Sequence, residues 1–176
     1  LYFSGHGFVP GGGGVPSPQD VALLMANATN FIPGYHFPAK PFANWFYNAG
    51  VFKEVVLLMD CCRDNDPTWP PNLVPYKAIT GIPSDLADRR SFFGFGSKWN
   101  SKSWERQMAD GNWHGVFTTA VMAALEGAAV DVDTGNVTAK TLGNYLLNYM
   151  KLYFSDEERE NPMIEKDPAV VYDPGI

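Results

Sequence analysis

The stretch Glu54-Val55-Val56-Leu57-Leu58-Met59-Asp60-Cys61-Cys62-Arg63 decides how this chain is read. Its β-branched and aliphatic run, continuous over 54–59, has the character of a strand covered on both faces. Just upstream, Phe42, Trp45, Phe46 and Ala49 fall at helical spacing, with Pro41 suited to a first turn and Gly50 to a C-terminal stop. Further back, residues 1–4 read as the tail of another buried strand, broken off by Gly5 and Gly7. Strand, helix and strand in that order predict a crossover unit with parallel, right-handed geometry, and hence an α/β domain.

Outside this unit the expectations are uneven. Phe8 to Pro18, with four consecutive glycines and three prolines, predicts a mobile flap beside His6, and Val21 to Met25 an extended segment returning to the core. Tyr76 to Thr80 and Ala169 to Tyr172 read as strands. Residues 89–112 lack periodicity and read as a long irregular loop, of the kind usually reserved for function or disorder. Val116, Phe117, Ala120, Val121, Ala124 and Leu125 then recur at helical spacing up to Gly127. Thr138 is placed to cap a second helix carrying Leu142, Tyr145, Leu146 and Tyr149.

A chain of 176 residues, 45% hydrophobic, is enough for one substantial core, and no linker or repeat divides it. The net charge of -6 and the absence of clustered Lys and Arg speak against a nucleic-acid surface, while an acidic surface is compatible with basic substrates. No apolar run approaches the roughly 20 residues of a membrane span, so no membrane partner is expected. The two cysteines are adjacent and cannot staple distant segments, which favours a reducing compartment such as the cytoplasm. The chain opens at Leu1 without Met and inside a strand, so it reads as a fragment or processed piece.

The chemistry lies at the two strand ends. In parallel α/β sheets ligands gather outside the carboxyl ends of the strands, where His6 and the Cys61-Cys62 pair would both stand. An imidazole and a thiol meeting in one cleft are a nucleophile with its proton acceptor, pointing to a cysteine-nucleophile hydrolase. Glycine on either side of His6 admits close backbone approach, and the Gly7 N–H is free to donate to a developing oxyanion. Position alone does not decide between Cys61 and Cys62.

Tyr2-Phe3-Ser4-Gly5-His6-Gly7 and Val56-Leu57-Leu58-Met59-Asp60-Cys61-Cys62-Arg63 resemble the His and Cys blocks of caspase-like cysteine peptidases, closest to the metacaspase pattern. Gly115-Val116-Phe117-Thr118 and Gly135-Asn136-Val137-Thr138, each leading into a helix, are similar to the small-subunit half of that family. The resemblance covers nearly the whole chain. It implies a caspase-like fold: a mostly parallel central sheet with helices on both faces, and further strands upstream of Leu1. It divides the single domain into a large-subunit-like part (1–88), a candidate processing loop (89–112) and a small-subunit-like part (113–176).

The same resemblance makes Cys62 the catalytic thiol and His6 its partner, with Cys61 in the small-residue position and the Gly7 and Cys62 N–H groups as the oxyanion hole. It requires no carboxylate behind the histidine. It implies peptide or protein substrates, places Asp60 as an acidic floor and Ser4 as a lining residue of a pocket for Arg or Lys, and makes Arg89, Arg90, Lys98, Lys102 and Arg106 candidate self-cleavage positions. An activating partner or an upstream regulatory domain also follows from it. The competing expectations are a catalytically silent binding or regulatory scaffold of the same fold, and a redox-sensing domain using the vicinal thiols.

No cofactor is expected. Asp131-Val132-Asp133-Thr134-Gly135 departs from a calcium loop in its glycine position and in having Leu142 at position twelve, so it reads as a polar turn. Asp64 and Asp66 are the residues a regulatory calcium ion of the metacaspase kind would use. His36 and His114 lack ligand spacing, and vicinal cysteines make a poor zinc site with His6. Trp45, Phe46 and Trp113 read as core.

Overall fold

A computed structural model describes residues 1–10, 21–28, 36–66 and 88–173. The expected strand at Tyr76–Thr80 and the glycine run of the expected flap lie outside them. The elements in chain order begin with strands β1 (Tyr2–Ser4), β2 (Gly7–Pro10), β3 (Ala22–Leu24) and β4 (His36–Pro38). Helix α1 (Ala39–Ala49), β5 (Glu54–Asp60), β6 (Asn65–Asp66), β7 (Arg90–Phe95), β8 (Glu105–Gln107) and β9 (Trp113–Gly115) follow. Helices α2 (Val116–Ala123), α3 (Ala139–Tyr149) and α4 (Asp156–Glu160) and strand β10 (Ala169–Tyr172) complete the order.

The central sheet has the order β1-β5-β7-β10. Strands β1, β5 and β7 are mutually parallel, and β10 closes one edge antiparallel to β7. The chain is thus a mixed α/β protein with a mostly parallel sheet, and β1 and β5 are neighbours joined through α1, as the crossover reading requires. Period-two alternation sends successive side chains to opposite faces. Val55, Leu57 and Met59 of β5, with Phe93 and Phe95 of β7, pack with Ala39 and Ala43 of α1. Phe92 and Leu58 pack on the other face with α2 and α3. That second face is incompletely covered at β5, where Val56 is 38% exposed, so the strand is not buried on both faces along its whole length.

Local sequence explains the helix limits. α1 starts two residues before Pro41 and stops where Gly50 takes φ 70°, a left-handed conformation that costs glycine no Cβ clash. α2 continues into a single wide turn at Ala124–Ala128, inside which Gly127 leaves helical geometry at φ 125°. Thr138 caps α3 with its side chain on the Thr141 N–H, and the Thr141 hydroxyl returns the bond to the Thr138 N–H.

Three expectations need correction. Phe8 to Pro10 are not flap: with Gly7 they form β2, central in a second sheet ordered β4-β3-β2-β6, and Val9 is fully buried. Residues 89–112 are not one loop: β7 is an interior strand of the main sheet, and β8 pairs with β9 in a hairpin. Trp113 is not core; it is 68% exposed on that hairpin.

The processing-loop reading is corrected accordingly at three positions. Arg89, in the connection just before β7, is buried with its guanidinium donating to the Tyr47 carbonyl, and Arg90 opens β7 opposite Glu54, so neither lies in an exposed loop. Arg106 lies in β8 and donates to the Tyr153 carbonyl at 2.6 Å. Only Lys98 and Lys102 remain exposed in the connection between β7 and β8, Lys98 paired with Asp167 at 2.6 Å.

The packing predicts a contrast on one strand. Leu57→Ala, which empties a fully buried position, should cost about 2–5 kcal/mol, and Val56→Ala well under half of that, read from urea unfolding midpoints.

Candidate active site

The carboxyl ends of β1 and β5 lie side by side, Ser4 opposite Asp60. Past them the chain turns outward, and the Gly5 N–H donates to the Asp60 carbonyl at 3.1 Å. A cleft of about 240 Å³ opens there, lined by Gly5, His6, Asp60, Cys61, Cys62, Ser103 and Glu105. The topology thus brings together the imidazole and the thiols that the sequence places 55 and 56 positions apart. Ser4 is exposed at the strand end and outside that lining.

The two cysteines occupy opposite environments. Cys61 is 1% exposed and packed in the α1-side core, and burial, reinforced by the Asp60 charge, pushes its thiol up to about 12. Gly7 sits directly over it: a Cβ there would stand 2.6 Å from Cys61 Sγ and 2.9 Å from the Cys62 carbonyl oxygen. The second glycine of the His motif is therefore needed for close approach of β2 to the cysteine turn. Cys62 is half-buried, and its Sγ donates to the Ser103 carbonyl at 3.8 Å. Burial raises its pKa above the ordinary thiol value and the Ser103 backbone draws it partly back. Of the flanking charges, Asp64 and Asp60 raise it and Lys102 lowers it. His6 is exposed across the cleft, and no hydrogen bond joins it to Cys62.

The Asp60 carboxylate is held by three hydrogen bonds. Its Oδ2 accepts from the Thr118 N–H at 2.9 Å and from the Thr118 hydroxyl at 2.7 Å, and its Oδ1 from the Ser103 hydroxyl at 2.5 Å. Thr118 is the third residue of α2, whose N-cap, Gly115, has no side chain to offer. The Asp60 carboxylate thus acts as the missing cap, supplied from another strand and favoured by the positive end of the helix. Glycine at 115 is a condition of this, because a Cβ would lie 1.9 Å from Asp60 Oδ2.

Ser103, Glu105, Gly115 and Thr118 belong to the site although sequence reasoning gave them no role. The available signal was the alternation of polar Ser103 and Glu105 around Trp104, the period of an extended segment with one face on a cleft. Arg63, fully buried with its guanidinium 4.4 Å from the Phe95 ring centre and bonded to the Ser97 carbonyl, holds the turn after the cysteines against β7.

Other candidates fall elsewhere. His36 is buried edge-on against Phe8, and His114 pairs with Asp110 at 2.8 Å on the exposed hairpin. Asp131 Oδ1 accepts from the N–H groups of Asp133 and Thr134, a side-chain-closed turn. Asp64 lines a separate cavity with Lys102, Trp104 and Glu165, and Asp66 lies in β6. Among the described residues no group of three or more His, Cys, Asp or Glu is disposed to hold a metal ion, and no helix is long and apolar enough to cross a membrane.

In the native protein iodoacetamide should modify Cys62 and spare Cys61, with a rate that climbs as pH rises through 6–8 because the raised thiol is still mostly protonated there; peptide mass spectrometry reads both. A rate flat over that range would contradict the protonated resting thiol. Gly115→Ala should cost about 1–3 kcal/mol in urea unfolding, since the new methyl displaces the Asp60 carboxylate. Comparison with protein-family models finds no match to this chain, and comparison with curated proteins finds no significant similarity.

Proposed function

We propose that the protein is a cysteine endopeptidase that cuts after a basic residue. One observation carries the reading: His6, Cys62 and an acidic side chain, Asp60, come from two adjacent parallel strand ends and line the same cleft. In this reading the Cys62 thiol gives its proton to His6 as its sulfur attacks the scissile carbonyl carbon. The raised thiol makes proton transfer part of the attack, in place of a preformed ion pair. The resemblance assigns the tetrahedral oxyanion to the Gly7 and Cys62 N–H groups; Cys62 lines the cleft, whereas Gly7 is buried in β2 and lies outside that lining, so the Cys62 N–H is the donor this reading rests on. Its collapse breaks the C–N bond, His6 returns the proton to the leaving amine, and a thioester remains. Water, deprotonated by His6, then releases the acid and restores the thiol.

The caspase-like resemblance of the His and Cys blocks supports the same assignment and the choice of Cys62. Substrate must take the place of the Ser103 carbonyl beside the sulfur, so the substrate-free arrangement is a resting one. Self-processing after a basic residue falls, in this reading, at Lys98 or Lys102, the exposed basic residues between β7 and β8. Two free thiols fit a reducing compartment such as the cytoplasm.

The silent scaffold is the second reading, and a specific observation favours it: Cys62 is bonded to Ser103 and not to His6. The vicinal-thiol sensor is less well supported, since a core thiol raised to about 12 forms little of the thiolate that oxidation needs.

Peptide reporters ending in Arg, Lys or Asp separate these readings. The basic reporters should be cleaved and the Asp reporter spared. Cys62→Ala should lower kcat/KM by at least about 10³-fold, and Cys61→Ala should change it less than about tenfold. Failure of a covalent peptidyl inhibitor to label Cys62 would establish the scaffold instead.

A further inference from the structure

We propose that Glu105 determines specificity within this cleft by pairing with a guanidinium, so that the site selects arginine over lysine. The inference rests on the peptidase reading for its consequence, but not for its ligand chemistry.

Asp60 has little hydrogen-bonding capacity left to offer a ligand. An ionised carboxylate offers about four acceptor positions. Asp60 spends three of them on Thr118 N–H, the Thr118 hydroxyl and the Ser103 hydroxyl. Its charge remains, but it cannot meet a guanidinium side-on with two parallel bonds without giving up the cap of α2 or the Ser103 bond. A lysine ammonium, a compact charge with three rotatable donors, can use a single remaining position. An arginine needs a second acceptor in the fixed plane of its fork.

Glu105 is where that acceptor stands. It lines the same cleft, is exposed, and among the described residues its side chain has no hydrogen-bond or ion-pair partner. Its place is set by the β8–β9 register, which puts it opposite Gly115, the residue whose Cα lies against the Asp60 carboxylate. Directly paired residues on antiparallel strands sit about 5 Å apart, so the backbone of Glu105 is held one strand away from the floor of the cleft.

The cations nearby leave Glu105 uncommitted. Arg106, its neighbour, is engaged by the Tyr153 carbonyl and by Glu158 at 3.7 Å. Lys102 lines the separate cavity with Trp104. Asp60 therefore supplies fixed negative charge at the floor, and Glu105 supplies the uncommitted pair of oxygens at the wall. Bidentate pairing of that kind distinguishes a guanidinium from an ammonium.

The test uses the full chain and Glu105→Gln, an exposed substitution that should leave the urea midpoint unchanged. With reporters ending in Arg or Lys, wild type should favour Arg, and E105Q should reduce the Arg-to-Lys ratio of kcat/KM about tenfold, chiefly through loss on the Arg reporter. Equal losses on both reporters, or a wild-type preference for Lys, would overturn the inference.

A binding arm is independent of turnover. Butylguanidinium and butylammonium are titrated into the Cys62→Ala protein with and without E105Q and followed by NMR shifts. The guanidinium should bind more tightly, and E105Q should weaken it about tenfold while changing butylammonium far less. Equal weakening of both, no effect of E105Q, or no binding of butylguanidinium overturns the inference. Selective binding without hydrolysis of any reporter sinks the peptidase reading and leaves the guanidinium assignment standing.

Discussion

The Asp60 carboxylate is the contact on which the site depends. It stands where β5 ends, and its three hydrogen bonds reach the first turn of α2 and the segment that follows β7. Each partner would otherwise be left wanting: α2 begins with a glycine that cannot cap it, and the Ser103 segment has no regular ladder of its own. A buried charge without partners is costly, and one at a helix N-terminus with three donors is not. Asp60, 5% exposed, is in the second situation because Gly115 lets the helix start come close enough.

Fixing that carboxylate also fixes the two thiols. Cys61 follows it inward, under Gly7, and is held neutral by the core. Cys62 follows it outward to the cleft, where the Ser103 backbone meets its sulfur. Ser103 is thus shared: its hydroxyl serves the carboxylate and its carbonyl the thiol, so displacement of this one residue would free both at once. The identity of adjacent residues is decided by which side of a turn each faces, not by their chemistry as amino acids.

The elements that could be read from sequence are those whose residues carry an uninterrupted local signal. β5 has its aliphatic run, α1 its helical spacing and Gly50, α3 its Thr138 cap. β7, as central as β5, was illegible because Arg90-Ser91-Phe92-Phe93-Gly94-Phe95 mixes charge, hydroxyl and glycine into the run. Gly94 is there because a Cβ would meet the Phe117 ring at 3.1 Å, a reason that exists only in three dimensions. β2 was hidden by the glycines and prolines that follow it. Within the site, the histidine and cysteine blocks were legible because strand ends announce themselves. Ser103, Glu105, Gly115 and Thr118 were not, because their roles come from a hairpin register and a helix start that meet Asp60 across 43 to 58 positions of sequence.

The cap of α2 has a kinetic side. An ordinary N-cap is a neighbour in sequence and forms as the helix nucleates; this one arrives from 58 positions upstream. Loop closure over that span comes before the contact can contribute, so α2 has no capping residue of its own during its earliest formation and gains one only when β5 is already in the sheet. The cap of α2 is therefore a tertiary contact and not a local one, made only where the end of β5 and the start of α2 have met.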